Sequence, residues 1–243
     1  MPSPRPRSKT APAAKPLPSA AKSAAPLTSK AASPRVALIT GAAVGIGAAI
    51  AKRLAQDGLH VIVSDRDLKA ATKTANAIQK TGGLATPLEL DVGSAESIAA
   101  AFAQVGKTFK RCDVLVNNAG IAKTYPFIDF PLDNWNATMN INLTGTLLCS
   151  QHAARLMRKR RWGRIISIAS VAGMRAVGSG RTAYGTSKGA VVALTRQMAV
   201  ELAEHGITAN AVCPGPVDTP MTRVLHTEQF RAEYAKAIPM ARY

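Results

Sequence analysis

Two side chains of different acid–base character stand four positions apart in Tyr184-Gly185-Thr186-Ser187-Lys188. On a helix beginning near Ala183 that interval puts phenol and amine on one face, within reach of each other. A free phenol, with a pKa of about 10, is a poor base at neutral pH, and a neighbouring ammonium favours its anion. Such a pair can take a proton from an alcohol or return one to a carbonyl oxygen. A second stretch, Gly41-Ala42-Ala43-Val44-Gly45-Ile46-Gly47, follows the apolar run Val36 to Thr40 and leads into an Ala-rich segment. Glycines at a strand-to-helix turn suit a phosphate. Gly41 permits the tight turn, Gly45 lets the backbone approach a pyrophosphate, Gly47 allows close helix-to-strand packing, and the helix N-terminus favours the anion. Asp65, 24 residues after Gly41, ends the next apolar run, where a carboxylate would accept from the ribose hydroxyls of a dinucleotide.

Elements able to hold these residues alternate along the chain. Short β-branched runs predict strands at Val36 to Thr40, His60 to Asp65, Ala85 to Leu90, Val114 to Asn117, Arg164 to Ala169 and Ile207 to Val212. Helices are expected at Ile46 to Gln56, Leu68 to Thr81, Ala95 to Phe109, Leu132 to Arg160 and Ala183 to Glu204. Runs that are apolar throughout, rather than alternating, fit parallel strands covered on both faces. The predicted fold class is therefore α/β: a Rossmann-type, doubly wound parallel sheet with helices on both faces. No internal repeat is visible.

The spacing G-x-x-x-G-x-G departs from G-x-G-x-x-G and resembles the T-G-x-x-x-G-I-G turn of short-chain dehydrogenases/reductases. Asn117-Asn118-Ala119-Gly120 is similar to that family's N-N-A-G segment, and Pro214-Gly215-Pro216-Val217-Asp218-Thr219 is similar to its P-G-x-x-x-T segment. With the Tyr184/Lys188 pair, the resemblance covers Val36 to Tyr243. It implies hydride transfer between a nicotinamide dinucleotide and a secondary alcohol or ketone. Ser170, fourteen residues before Tyr184, would hold the substrate oxygen; Ser167 competes, but strand alternation and family spacing favour Ser170. Lys188 would support the phenolate and hold the nicotinamide ribose. Asn142 would distort the long helix and relay protons, with Asn140 as its neighbouring competitor.

The cofactor would be lined by Gly41, Val44, Gly45, Ile46, Gly47, Asp65 and Arg66, then by Asp91, Val92, Asn118, Ala119 and Gly120. Pro214, Gly215, Val217 and Thr219 would close over it, beside Tyr184 and Lys188. As alternatives, Asp91 could cap the following helix and the asparagines could be turn formers. Asp65 favours NAD, because a 2′-phosphate there would meet a like charge, while Arg66 keeps NADP possible. Residues 221–239 are expected to form mobile helices over the substrate. The family normally follows Ile238 to Tyr243 with a further helix and strand, so a sheet lacking both is expected. Relatives suggested by the overall pattern are 3-oxoacyl-carrier-protein reductases, which would use NADPH, and polyol or sugar dehydrogenases. Homodimers or homotetramers through the segments Leu132 to Arg160 and Ala183 to Glu204 follow from the same resemblance.

The chain of 243 residues is 47% hydrophobic with a formal charge of +17. Met1 to Pro34 carries Arg5, Arg7, Lys9, Lys15, Lys22 and Lys30 with no acid, +6 of that total, leaving +11 on the remainder. Its Pro, Ala, Ser and Lys composition predicts a disordered basic extension, with a transit peptide as the alternative. The dehydrogenase domain then spans 35–243. Cys112, Cys149 and Cys213 lack disulfide or zinc-ligand spacing, so no metal site and a reducing, cytoplasmic location are expected. No apolar run is long enough to span a bilayer. The dense basic run Arg158-Lys159-Arg160-Arg161-Trp162-Gly163-Arg164 raises a nucleic-acid-binding or scaffold alternative, but such runs commonly complement a helix C-terminus. No nucleic-acid partner is expected. Nucleotide binding without turnover is the third reading.

Overall fold

Strand β1 (Val36–Thr40) is buried at every position, as a strand with neighbours on both sides and helices on both faces must be. It pairs in parallel with β2 (His60–Asp65) on one side and β4 (Val114–Asn117) on the other. Adding β3 (Leu84–Glu89), β5 (Gly163–Ile168) and β6 (Ile207–Val212) gives a parallel sheet of order β3-β2-β1-β4-β5-β6. The computed structural model describes residues 33–176, 178–225 and 227–243, of which Pro34–Tyr243 form one unit. The predicted extension thus lies outside the described residues except at Ser33 and Pro34.

Side chains of successive strand residues leave opposite faces, and the core divides accordingly. Ala37, Ile39, Val61 and Val63 pack under α1 (Gly45–Gln56) and α2 (Leu68–Lys80) through Ala51, Ala55, Ala71 and Ala75. The short alanines let these helices lie close to the strands. On the other face Leu38, Ile62, Leu115 and Ile165 meet Ile98 and Phe102 of α3 (Ala95–Phe109), together with Cys149, Ala153 and Met157 of α5 (Gly145–Met157). Met198 of α6 (Thr182–Leu202) completes that layer. Burial drives the thiols of Cys112 and Cys149 up to about 12, which makes them packing groups rather than nucleophiles. At the start of β4 the buried Asp113 carboxylate accepts from Val36 N at 2.7 Å and from Arg111 Nε and Nη2 at 2.6 and 2.8 Å, joining β4 to β1.

Four strands keep their expected limits; β3 and β5 start and end one residue earlier than read from sequence. The edge strands differ in burial. β6 alternates buried and exposed over its first four positions, and β3 holds Pro87, a residue that a sheet edge tolerates. A single helix from Leu132 to Arg160 is not what forms. α4 (Leu132–Met139) passes through a widened π-type turn at Asn140–Thr144 into α5, and a 3-10 turn at Arg158–Arg160 follows. The expected excursion at 221–239 is two helices, α7 (Pro220–Leu225) and α8 (Glu228–Lys236). The basic run is held locally: Arg161 donates to Glu204 O at 2.8 Å, and the guanidiniums of Arg35 and Arg164 lie 4.2 and 4.3 Å from the centre of the Trp162 ring. Among the described residues no helix is long and apolar enough to cross a membrane, and no group of His, Cys, Asp or Glu could hold a metal ion.

Candidate active site

Strand order reverses between β1 and β4, because β1 runs on to β2 and β3 on one side while β4 continues to β5 and β6 on the other. The loops leaving these two strands diverge there, and a crevice opens beyond their carboxyl ends. Gly41 and Gly45 turn the chain into α1 with φ of +61° and +60°, a backbone region that glycine enters without strain. A β-carbon on Gly41 would stand 2.8 Å from Ala119 Cα. Gly47 is tighter still: its β-carbon would strike the Gly41 carbonyl oxygen and come within 2.6 Å of Asn118 Nδ2. The two strand ends are stitched together by Thr40, whose hydroxyl accepts from Asn118 N and Ala119 N at 3.0 Å, and by Asn118 Nδ2, which donates to Thr40 O and Gly41 O at 2.9 Å.

One cavity of about 420 Å³ follows this crevice. Its first wall holds Gly41, Val44, Gly45 and Ile46, with Asp65 and Arg66 at the end of β2. Asp65 accepts from Ala43 N and Asp67 N, each at 3.2 Å, so its carboxylate is turned toward the glycine-rich loop. Asp91, Val92, Asn118, Ala119 and Gly120 continue the lining. Asp91 accepts from Gly93 N at 2.8 Å, and the cap of α3 is Ser94, accepting from Ser97 N at 3.1 Å; the helix-capping alternative for Asp91 is thereby corrected. Pro214, Gly215, Val217 and Thr219 also line it, and Thr219 comes close to the glycine turn: a β-carbon on Gly45 would stand 3.7 Å from Thr219 Cβ. Gly47 supports the turn from behind and does not line the cavity.

At the far end the cavity is lined by Ser170, Tyr184 and Lys188. Ser170 stands just past β5, and its hydroxyl accepts from Ala172 N at 3.1 Å. Ser167 is fully buried within the strand and does not line the cavity. Lys188, 5% exposed, donates to Ile168 O at 2.7 Å, and its Nζ lies 5.8 Å from the centre of the Tyr184 ring. Burial lowers its pKa to about 8, so it remains mainly cationic at neutral pH in surroundings that screen its charge weakly. Gly120 leaves the space between this ammonium and Asn142: a β-carbon there would be 3.5 Å from Lys188 Nζ and 3.1 Å from Asn142 Oδ1.

Asn142 sits in the π-type turn, 1% exposed, outside the cavity lining. Its amide donates to Ile121 O and Ser187 Oγ at 3.0 Å and its carbonyl accepts from Ile121 N at 2.8 Å; Ser187 in turn donates to Tyr184 O at 2.8 Å. The asparagine thus fastens the loop after β4 to α6. Asn140 instead donates to Gly93 O at 2.8 Å, on the other side of the turn. Sequence reasoning missed Thr40, Ser187, Arg181 and Tyr234. Arg181 was within reach, three positions before Tyr184 at the start of the helix; Tyr234 comes from α8, and no local pattern announces it.

A family model described as short chain dehydrogenase matches residues 35–229. A short-chain reductase from Streptomyces niveus is 44% identical over 186 residues, 76% of this chain and 70% of that protein. A 3-oxoacyl-acyl-carrier-protein reductase of Aquifex aeolicus is 39% identical over 210 residues, 86% and 84% of the two chains. The crystal structure of a gluconate 5-dehydrogenase from Burkholderia cenocepacia, in complex with NADP and tartrate, matches with a TM-score of 0.82 at 34% identity over 86% of this chain and 82% of that one. The chain belongs to the short-chain dehydrogenase family.

Proposed function

We propose that this chain is an NAD(P)-dependent oxidoreductase in which Tyr184 exchanges a proton with the oxygen of a secondary alcohol or ketone. The observation that carries the reading is that Ser170, Tyr184 and Lys188 line the same cavity as the Gly41 to Ile46 turn. A dinucleotide fits the residues present. The backbone at Gly41 and Gly45 is bare, α1 has no side-chain cap at Val44, and its first-turn amides can therefore face a phosphate. Bound there, the nicotinamide supplies the hydride acceptor or donor. Asp65 supports NAD over NADP, since a 2′-phosphate in its place would face a like charge, with Arg66 beside it as the route by which NADP is admitted.

In this reading Ser170 donates to the substrate oxygen and fixes it beside the phenol. Tyr184 accepts the proton during oxidation and returns it during reduction, and Lys188 favours the phenolate by its positive charge. Asn142 holds Ile121 and Ser187 so that α6 presents Tyr184 and Lys188 at a fixed height above the sheet, and its proton-relay role is part of the same proposal. The domain occupies 35–243 and the preceding basic segment is an extension. Dimers or tetramers through α4, α5 and α6 complete the reading, supported by exposed Leu147 and Val200; sedimentation giving only monomers would remove that part.

The test pairs binding with turnover. The native chain should quench or enhance NADH fluorescence on binding and reduce NAD with a panel of polyols, hydroxyacyl thioesters and steroids. Tyr184→Phe should retain binding and lose about 10²- to 10⁴-fold in kcat. Native-level turnover by that variant would refute the assignment.

A further inference from the structure

The cavity is electrically lopsided. Its lining carboxylates, Asp65 and Asp91, follow β2 and β3, with the single cation Arg66 beside Asp65, whereas Ser170 follows β5. With neighbouring strands about 4.8 Å apart, the three steps from β2 to β5 separate Asp65 from the serine's strand by roughly 14 Å. Around Ser170 and Tyr184 the described lining carries no acid, and beside the buried Lys188 it carries a second cation, Arg181.

Arg181 is placed by the fold rather than by chance exposure. It is the residue before α6, its carbonyl accepts from Gly185 N at 2.7 Å, and it precedes Tyr184 by three positions at the start of the helix. The guanidinium lies 5.4 Å from the centre of the Phe230 ring on α8. Tyr234, one helical turn beyond Phe230, lines the same cavity. An aromatic ring beside a guanidinium restricts its rotamers, and the guanidinium presents its donors as a planar fork. That fork matches two oxygens of a carboxylate or phosphate better than any neutral group.

We propose that Arg181 is a specificity determinant that binds an oxyanion, carboxylate or phosphate, carried by the alcohol or ketone substrate on the cavity side opposite Asp65. The proposal rests on the reading of Ser170 and Tyr184 as the site of oxygen chemistry. The reacting oxygen lies at Ser170 and Tyr184, and the anion beside Arg181, where Tyr234 of α8 also lines the cavity. Arg181 takes no part in the proton or hydride step, so its removal acts on substrate binding. The two ends also differ in net charge: the Asp65 end sets two carboxylates against one cation, Arg66, and the Ser170 end holds Arg181 and Lys188 with no acid.

The experiment uses the full chain with NAD or NADP, 3-hydroxy acids of increasing length with their methyl esters, and glycerol 3-phosphate with glycerol. Initial rates give KM and kcat, and calorimetry on the dinucleotide-loaded chain gives the affinity of each member. The acid or phosphate should exceed its neutral counterpart about 10- to 100-fold in kcat/KM, the span expected of charge-assisted hydrogen bonds. Arg181→Gln should bring that ratio close to one through a raised KM for the anion, and Arg181→Lys should restore part of it. NADH affinity serves as the fold check for both variants. A neutral member used as well as its anion, or a preference that survives Arg181→Gln, overturns the proposal. Carboxylates preferred over phosphate, or the reverse, identifies which oxyanion the site takes. If no probe is turned over, calorimetry decides: tighter binding of the anion that Arg181→Gln abolishes upholds Arg181, and equal binding of both members overturns it. Dinucleotide binding without turnover of any member of the panel counts against the assigned reaction instead.

Discussion

The two ends of the cavity are built by opposite means. The wall at Gly41 to Gly47 is made of backbone: glycines admit Ala119, Asn118 and the Gly41 carbonyl into space that a single β-carbon would fill. The wall at Ser170, Tyr184 and Lys188 is made of side chains, and what fixes it is hydrogen bonding around a desolvated ammonium. The first is a steric device, intolerant of an added atom. The second is an electrostatic one, dependent on charge and therefore on pH.

The contrast is broken most directly at Gly47. Gly47→Val places branched carbon against backbone and the Asn118 amide, neither of which can move without loosening β1 from β4. A loss of about 3 kcal/mol is expected. For a domain of this size that is a fall of roughly 6 to 12 °C in Tm, with NADH binding lost as well. Thermal melts and a fluorescence titration check both; native values would show that the turn is not sterically tight.

The side-chain wall should answer to pH instead. Lys188 has a native pKa of about 8 against an ordinary 10.5. Between these values the unfolded chain holds a proton that the folded chain has shed, so unfolding free energy rises with pH across this window. Below pH 8 the charge is buried at a constant cost. Lys188→Met removes the rise, up to about 3 kcal/mol, and urea unfolding of both proteins from pH 7 to 10.5 measures it. Parallel profiles for native and variant would mean the lysine is not desolvated.

A smaller effect separates the Asp65 end from both. Asp65→Asn leaves the steric fit and removes the charge, and the NAD-to-NADP ratio of kcat/KM should move about tenfold toward NADP. An unmoved ratio would take Asp65 away from the ribose.

Much of this architecture is legible in local pattern. Apolar runs gave the limits of β1, β2, β4 and β6, and the glycine spacing placed the loop, because parallel strands and their turns are restricted residue by residue. The breaks in the 132–160 segment are less visible. The helix widens around Asn142, whose amide is satisfied by Ile121 and Ser187, groups far away in the chain. Edge and central strands also read alike in sequence, yet β6 alternates in burial where β1 does not, since only the sheet order says which strand has one neighbour.

The sequence alone determined which residue types could do the chemistry and how the helix period sets Tyr184 beside Lys188, since four residues make about one turn in any helix. Only the tertiary structure decided the rest. It separated Ser170 from Ser167, buried Lys188, brought Arg181 and Tyr234 to one cavity wall and set Asp65 at the other end. Each of these depends on strand order and helix packing between segments far apart in the chain, where no local preference reaches.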